Sequence, residues 1–168
     1  RDILRNRKKF VRYGRFFCDT IAEKRIIVSG EDGMATILVV DDEQEIADLV
    51  EIYLNNDGFD VIKAYDGEEC LEKLKEHPEI RVIILDVMMP KMDGMETCRR
   101  IRRTSNIPII MLSAKTADMD KILGFGTGVD DYVTKPFNPL ELTARVKSQL
   151  KRYQAIQGMP TSPDVITV

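Results

Sequence analysis

Residues 37–43 read ILVVDDE, and residues 84–94 read ILDVMMPKMDG. Each is an apolar run, rich in β-branched side chains, that stops at a carboxylate. Ile37–Val40 ends at Asp41 and Asp42, and Val82–Leu85 ends at Asp86. Runs of this kind predict short strands buried on both faces. Outward from the first, Ile46, Leu49, Val50, Tyr53 and Leu54 recur at helical spacing, and Asn55 to Gly58 supplies turn residues that stop the helix. Val61–Ala64 predicts a second strand. Asp66 with Glu69 has capping-box spacing and opens a second helix, and Asp93 with Glu96 opens a third. Ile109–Leu112 predicts a fourth strand and Tyr132–Thr134 a fifth, with a fourth helix at Ala117–Phe125 between them. Asn138, Pro139 and Glu141 stand at N-cap, N1 and N3 of a last helix, whose buried stripe is Leu142, Val146 and Leu150.

Strands alternating with helices predict an α/β fold: a doubly wound, five-stranded parallel sheet with five helices on its two faces. In such sheets the ligand site lies beyond the carboxyl ends of the strands. Those ends carry Asp41 and Asp42, then Asp86, then Ser113, then Lys135. One aspartate after a strand is commonly a turn or cap residue. Three carboxylates, a hydroxyl and a lysine at one sheet edge form a chemical set. Close carboxylates raise one another's pKa, and a hard divalent cation such as Mg²⁺ relieves that repulsion. One carboxylate can then attack phosphorus, with cations and a hydroxyl sharing the charge on the equatorial oxygens. The nucleophile is already deprotonated, so no histidine base is needed.

Composition narrows the alternatives. The 168 residues are 43% hydrophobic and 32% charged, the balance of a globular chain, and no apolar run approaches a membrane span. The cysteines, Cys18, Cys70 and Cys98, lack paired spacing, which predicts reduced thiols and a cytoplasmic setting. The single histidine, His77, lies before Pro78 in a loop and reads as an ordinary exposed residue. Cys70 and Cys98 read as helix packing residues, and Met88 with Met89 as loop packing. Residues 1–33 carry nine basic and five acidic side chains, leaving a net of −7 on the rest. An acidic body is a poor nucleic-acid binder by itself.

The blocks ILVVDDE, ILDVMMPKMDG, IIMLSAK and DDYVTKPF resemble, in order and spacing, the signature blocks of CheY-like receiver domains. The resemblance runs from Thr36 to Tyr153 and implies strand order 2-1-3-4-5. It implies Asp86 as the phosphoacceptor, supplied by a sensor histidine kinase. Asp41, Asp42, Asp86 and the Met88 carbonyl resemble the Mg²⁺ ligands, Ser113 and Tyr132 the switch pair, and Lys135 the phosphate-binding lysine before a cis Pro136. Asp86, Ser113 and Lys135 are thus the reactive set, in a protein that catalyses only its own phosphorylation and dephosphorylation and is otherwise no enzyme.

The tail GVDDYVTKPFNPLELTARVKSQLKRY resembles the OmpR/PhoB class of transcription regulators, and somewhat those of the vancomycin-resistance type. It implies a homodimer on phosphorylation, through Lys121, Ile122, Phe125, Asp130, Asp131, Glu141 and Arg145, with Lys121–Glu141 and Asp131–Arg145 as cross-subunit pairs. The loop GFGTGVDDY departs from the class at Gly126 and Val129. Residues 34–153 are expected to be the receiver. Residues 1–33 are expected to be a non-native extension before an initiator-like Met34. Residues 154–168 are expected to link to a C-terminal DNA-binding domain, the route to DNA, with no membrane partner. Two rivals fit less well. A haloacid-dehalogenase-type phosphatase wants D-x-D after its first strand. A flavodoxin-like cofactor binder wants a phosphate-cradling loop where Asp41 and Asp42 stand.

Overall fold

The computed structural model describes residues 35–114, 126 and 128–158. Five strands form one sheet: β1 (Thr36–Val40), β2 (Asp60–Ala64), β3 (Ile80–Asp86), β4 (Ile109–Ser113) and β5 (Asp131–Thr134). Their order is β2-β1-β3-β4-β5 and every neighbouring pair is parallel. Among the described residues there are four helices: α1 (Gln44–Asn56), α2 (Gly67–Glu76), α3 (Gly94–Arg102) and α4 (Pro139–Gly158). The helix expected at Ala117–Phe125 lies outside the described residues.

Strand residues alternate between the two faces of a sheet, and here both faces are covered. Leu38, Val40, Ile83, Leu85, Ile109 and Met111 pack on one side with Cys70, Cys98 and Ile101 from α2 and α3. Ile37, Val39, Val82, Ile84, Ile110 and Leu112 pack on the other with Ala47, Val50 and Leu54 of α1 and Leu142, Val146 and Leu150 of α4. This explains the apolar runs Ile37–Val40, Val82–Leu85 and Ile109–Leu112, every residue of which is buried; in β3 Arg81, before its run, meets water.

The helix starts follow the capping chemistry, with one adjustment each. Asp66 accepts from the Glu69 amide at 2.8 Å, but the Glu69 carboxylate reaches back to the Tyr65 amide rather than to that of Asp66. Asp93 accepts from the Glu96 amide at 2.8 Å, while the Glu96 side chain turns outward to Arg99 and Arg100. Asn138 accepts from the Leu140 amide at 2.9 Å. Two expectations are corrected. Leu49 belongs to the helical pattern yet is 42% exposed, and Ala47 faces the core in its place. The last helix continues to Gly158, past Tyr153, and so includes the start of the segment expected to be linker. Nothing before Gly158 and Pro160 forbids helical propagation.

Register aligns the strand ends. Val40 lies opposite Leu85 in β3, Asp86 opposite Leu112 in β4, and Ser113 opposite Thr134 in β5. The residues that follow β1 and β5 are therefore carried to the level of Asp86 and Ser113, at one edge of the sheet.

Candidate functional site

Asp41 follows β1, is fully buried, and accepts from the Glu43 amide at 3.0 Å through Oδ1. That turn starts α1, which has no side-chain cap of its own. Asp86 closes β3 and is also buried, whereas Asp42 faces solvent. Carboxylate oxygens of Asp41, Asp42 and Asp86 lie within 4.8 Å of one another. Lys135 extends over them from the loop after β5. Its Nζ stands 2.9 Å from Asp41 Oδ2, 3.3 Å from Asp86 Oδ2 and 3.8 Å from Glu43 Oε1. Its own amide donates to the Ser113 carbonyl at 2.7 Å, tying the loop to the end of β4. The Lys135–Pro136 bond is cis.

The electrostatics follow from burial. Desolvation, and next the charge of Asp41, push the Asp86 carboxyl up to about 6, against the opposing pull of Lys135. Burial alone would lower the Lys135 ammonium, but its hydrogen bond to Asp41 and the charges of Asp86 and Asp41 outweigh it, and the net shift is upward. One ammonium thus faces three carboxylates, two of them buried. The donor set fits a hard divalent ion: carboxylate oxygens converge from two strand ends, and burial together with the Asp41 charge holds Asp86 above its ordinary range.

The loop after β3 is shaped around Asp86. The Gly94 amide donates to the Val87 carbonyl at 2.9 Å, and a Cβ on Gly94 would collide with the Asp86 carbonyl. The Met88 amide lies 3.4 Å from Asp86 Oδ1. The two methionines separate: Met89 packs in the core, but Met88 is 61% exposed at the mouth of the site, correcting its reading as a packing residue. Ser113 is fully buried, and Tyr132 is half-buried against the same core cluster as Met89.

Asp41, Asp42, Asp86, Ser113 and Lys135 therefore share the sheet edge expected for them. Glu43 was not foreseen; its signal was the third acid of the DDE run. Of the residues expected at an interface, Lys121, Ile122 and Phe125 lie outside the described residues. Arg145 is engaged within the chain: Nη1 meets both Asp131 oxygens at 2.9 and 3.0 Å, and Nη2 meets Glu141 at 3.0 Å. Asp130 accepts from Arg102 at 2.7 Å and from the Ile109 amide at 2.9 Å. His77 is half-buried rather than exposed: it ends α2, and its ring lies 2.9 Å from Glu79. Cys70 and Cys98 are buried packing residues, and burial pushes the Cys70 thiol up to about 12. Cys18 lies outside the described residues.

The model of the response regulator receiver domain family matches residues 37–147, and the chain belongs to that family. It is the receiver domain of a response regulator in a two-component system. Among curated proteins it is 52% identical to the regulatory protein VanRc of Enterococcus gallinarum over 129 residues, 77% of this chain and 55% of that protein. It is 49% identical to VanR of Enterococcus faecium over 132 residues, 79% of this chain and 57% of that one. These relatives are of the OmpR class, as the tail implied. The chain spans about half the length of the curated relatives it matches. Among solved structures, the receiver domain of Francisella response regulator 1452 aligns with TM-score 0.66 at 38% identity, covering 71% of this chain and 98% of that one. Vibrio cholerae CheY4 aligns with TM-score 0.65 at 36% identity, covering 70% and 100%. No helix among the described residues is long and apolar enough to cross a membrane.

Proposed function

We propose that this receiver accepts a phosphoryl group on Asp86 and passes the event to a dimer face. One observation carries the reading: Asp86 is buried at a strand end, with Asp41 and Asp42 beside it and Lys135 Nζ 3.3 Å away. Above its raised pKa the Asp86 carboxylate is ionised and nucleophilic. An Asp86 oxygen bonds to phosphorus as the bond to the donor breaks. The donor is a kinase phosphohistidine or, in a test, acetyl phosphate, which leaves as acetate. Lys135, already poised over both buried acids, exchanges part of its contact with Asp41 for a phosphoryl oxygen. Ser113, at the end of β4, would donate its hydroxyl to another. Asp41, Asp42, Asp86 and the Met88 carbonyl would hold Mg²⁺. Bound there, it supplies charge neutralisation at the transferring phosphoryl group.

Phosphorylation adds about −1.5 to −2 charges. Drawing Ser113 and Lys135 toward that charge moves the loops on both sides of β5 and lets Tyr132 turn. The dimer face would comprise Lys121, Ile122 and Phe125 with β5 and α4 residues Asp131, Glu141 and Arg145, and Asp130 at its margin. Residues 34–153 are the switch and 154–168 lead toward a DNA-binding domain, with no part assigned to 1–33. The direct test is mass gain on incubation with acetyl phosphate and Mg²⁺. Wild type should gain one base-labile phosphoryl group, Asp86→Asn none, and Asp42→Ala less than wild type. Equal gain in Asp86→Asn, or undiminished gain in excess chelator, defeats the proposal. The dimer step is checked by sedimentation with and without beryllofluoride, which should raise the dimer fraction of wild type but not of Arg145→Glu.

A further inference from the structure

We infer that Arg102 is a positioning residue that pins the foot of the edge strand β5, so that movement at the phosphoryl end of β4 and β5 is transmitted to the Asp131–Arg145 face. The inference rests on the switch proposed above. β5 has four residues and pairs with β4 alone, at the edge of the sheet. So short a strand specifies its own register weakly, and slipping by one residue would turn every side chain to the other face. Two ties oppose such slippage, one at each end. The upper tie is the bond from the Lys135 amide to the Ser113 carbonyl. The lower tie is Asp130. Its amide donates to the Ile109 carbonyl at 3.0 Å, and its Oδ2 accepts from the Ile109 amide at 2.9 Å.

Arg102 holds that lower tie in place. From the last turn of α3 its Nη2 donates to the same Asp130 oxygen at 2.7 Å. Its Nε donates to the Gly128 carbonyl at 2.7 Å, and its Nη1 to the Ile107 and Ser105 carbonyls at 2.6 and 3.2 Å. One planar fork thus joins α3, the entry to β4 and the entry to β5. A lysine, with a single nitrogen, cannot make this set of bonds. Gly128 is matched to the fork: its φ is +76°, and a Cβ there would press on Arg102 Cγ, Nε and Cδ at 2.9–3.0 Å. The residue after Asp130 is Asp131, which grips Arg145 of α4. The phosphoryl site and this clamp therefore stand at opposite ends of one two-strand ribbon. With the foot fixed, displacement at the top tilts β5 and the face it carries. With the foot free, the strand end frays instead.

An arginine that only stabilised the fold would, when replaced, weaken phosphorylation and switching together. A positioning arginine separates them. Hydrogen–deuterium exchange on the full chain, with and without Mg²⁺ and beryllofluoride, reads the switch, and acetyl-phosphate labelling reads the chemistry. In Arg102→Lys, labelling should stay within about twofold of wild type. Beryllofluoride should slow exchange of residues 128–134 in wild type, and this gain should shrink by about tenfold or more in the variant, with β1 and β3 unaffected. Should Arg102→Lys unfold, Gly128→Ala carries the same two readouts, since a Cβ there would push the fork aside while leaving Arg102 and Asp130 themselves unchanged. An equal protection gain in variant and wild type overturns the inference. So does a fall in labelling that matches the loss of protection. A wild type that neither labels nor responds to beryllofluoride defeats the proposed switch itself, a result distinct from failure of the variant alone.

Discussion

Asp86 is a carboxylate taken out of water and set beside another, Asp41, and its pKa of about 6 records the cost. The folded chain holds that proton more tightly than the unfolded chain. Its contribution to stability therefore falls as pH rises from the ordinary carboxylate range through 6, and the full cost stands above 6. Asp86→Asn should stabilise the metal-free protein at pH 7.5 by about 1–3 kcal/mol. Thermal melts in chelator should show the variant's advantage growing from about pH 4 to pH 6 and then levelling. A constant difference across that range would refute the ionisation of a buried Asp86 as its cause. Metal affinity should show the companion effect, since a ligand must lose its proton first. Isothermal titration with Mg²⁺ should find binding weakening as pH drops below 6. These residues were legible because each ends or follows a strand, where a carboxylate or ammonium has no packing role. Arg102 and Glu43 were not legible in the same way. Arg102 meets its partner 28 positions away, and Glu43 meets Lys135 across 92 positions, and spacing says nothing about such pairs until the fold is known.

At the scale of elements, the helix starts are where local chemistry acts most directly. Asp93 both caps α3 and sits beside Gly94, which closes the loop holding Asp86. Asp93→Ala should cost about 1 kcal/mol in denaturant melts, with phosphoryl labelling largely retained. Gly94→Ala should behave differently. Its methyl group is forced against the Asp86 carbonyl and Val87, so the loop must shift, and the overpacking should cost about 1–3 kcal/mol together with a marked loss of acetyl-phosphate labelling. If both variants lose labelling equally, the loop is not held as described. Strand cores and caps could be read from sequence because apolar runs and N-cap residues carry short-range physics. The exposure of Leu49 could not, since Ala47 or Leu49 satisfies the helical period equally well until the packing of β1, β3 and α4 selects one. Nor could the length of α4, which depends on the absence of a stop signal rather than on the presence of a start.

For the whole molecule, the dimer proposal has a definite electrostatic requirement. Arg145 already holds Asp131 and Glu141 within its own chain. A cross-subunit pair must therefore exchange one partner for another, with little net gain; exposed pairs are worth about 0–1 kcal/mol each. Affinity should then depend on apolar contact, and salt should change it weakly. Sedimentation of the beryllofluoride form between roughly 50 and 500 mM salt is expected to show a dimer constant that moves by less than about tenfold. A steep salt dependence would mean that the ion pairs dominate after all. The two buried thiols have a consequence of another kind. Cys70 and Cys98 lie on separate helices of the same packed layer, and both are silent toward alkylating reagents while that layer is closed. They make the domain its own stopwatch: under a pulse of iodoacetamide, the mass added at these two positions counts how often the layer opens, with no dye or tag introduced.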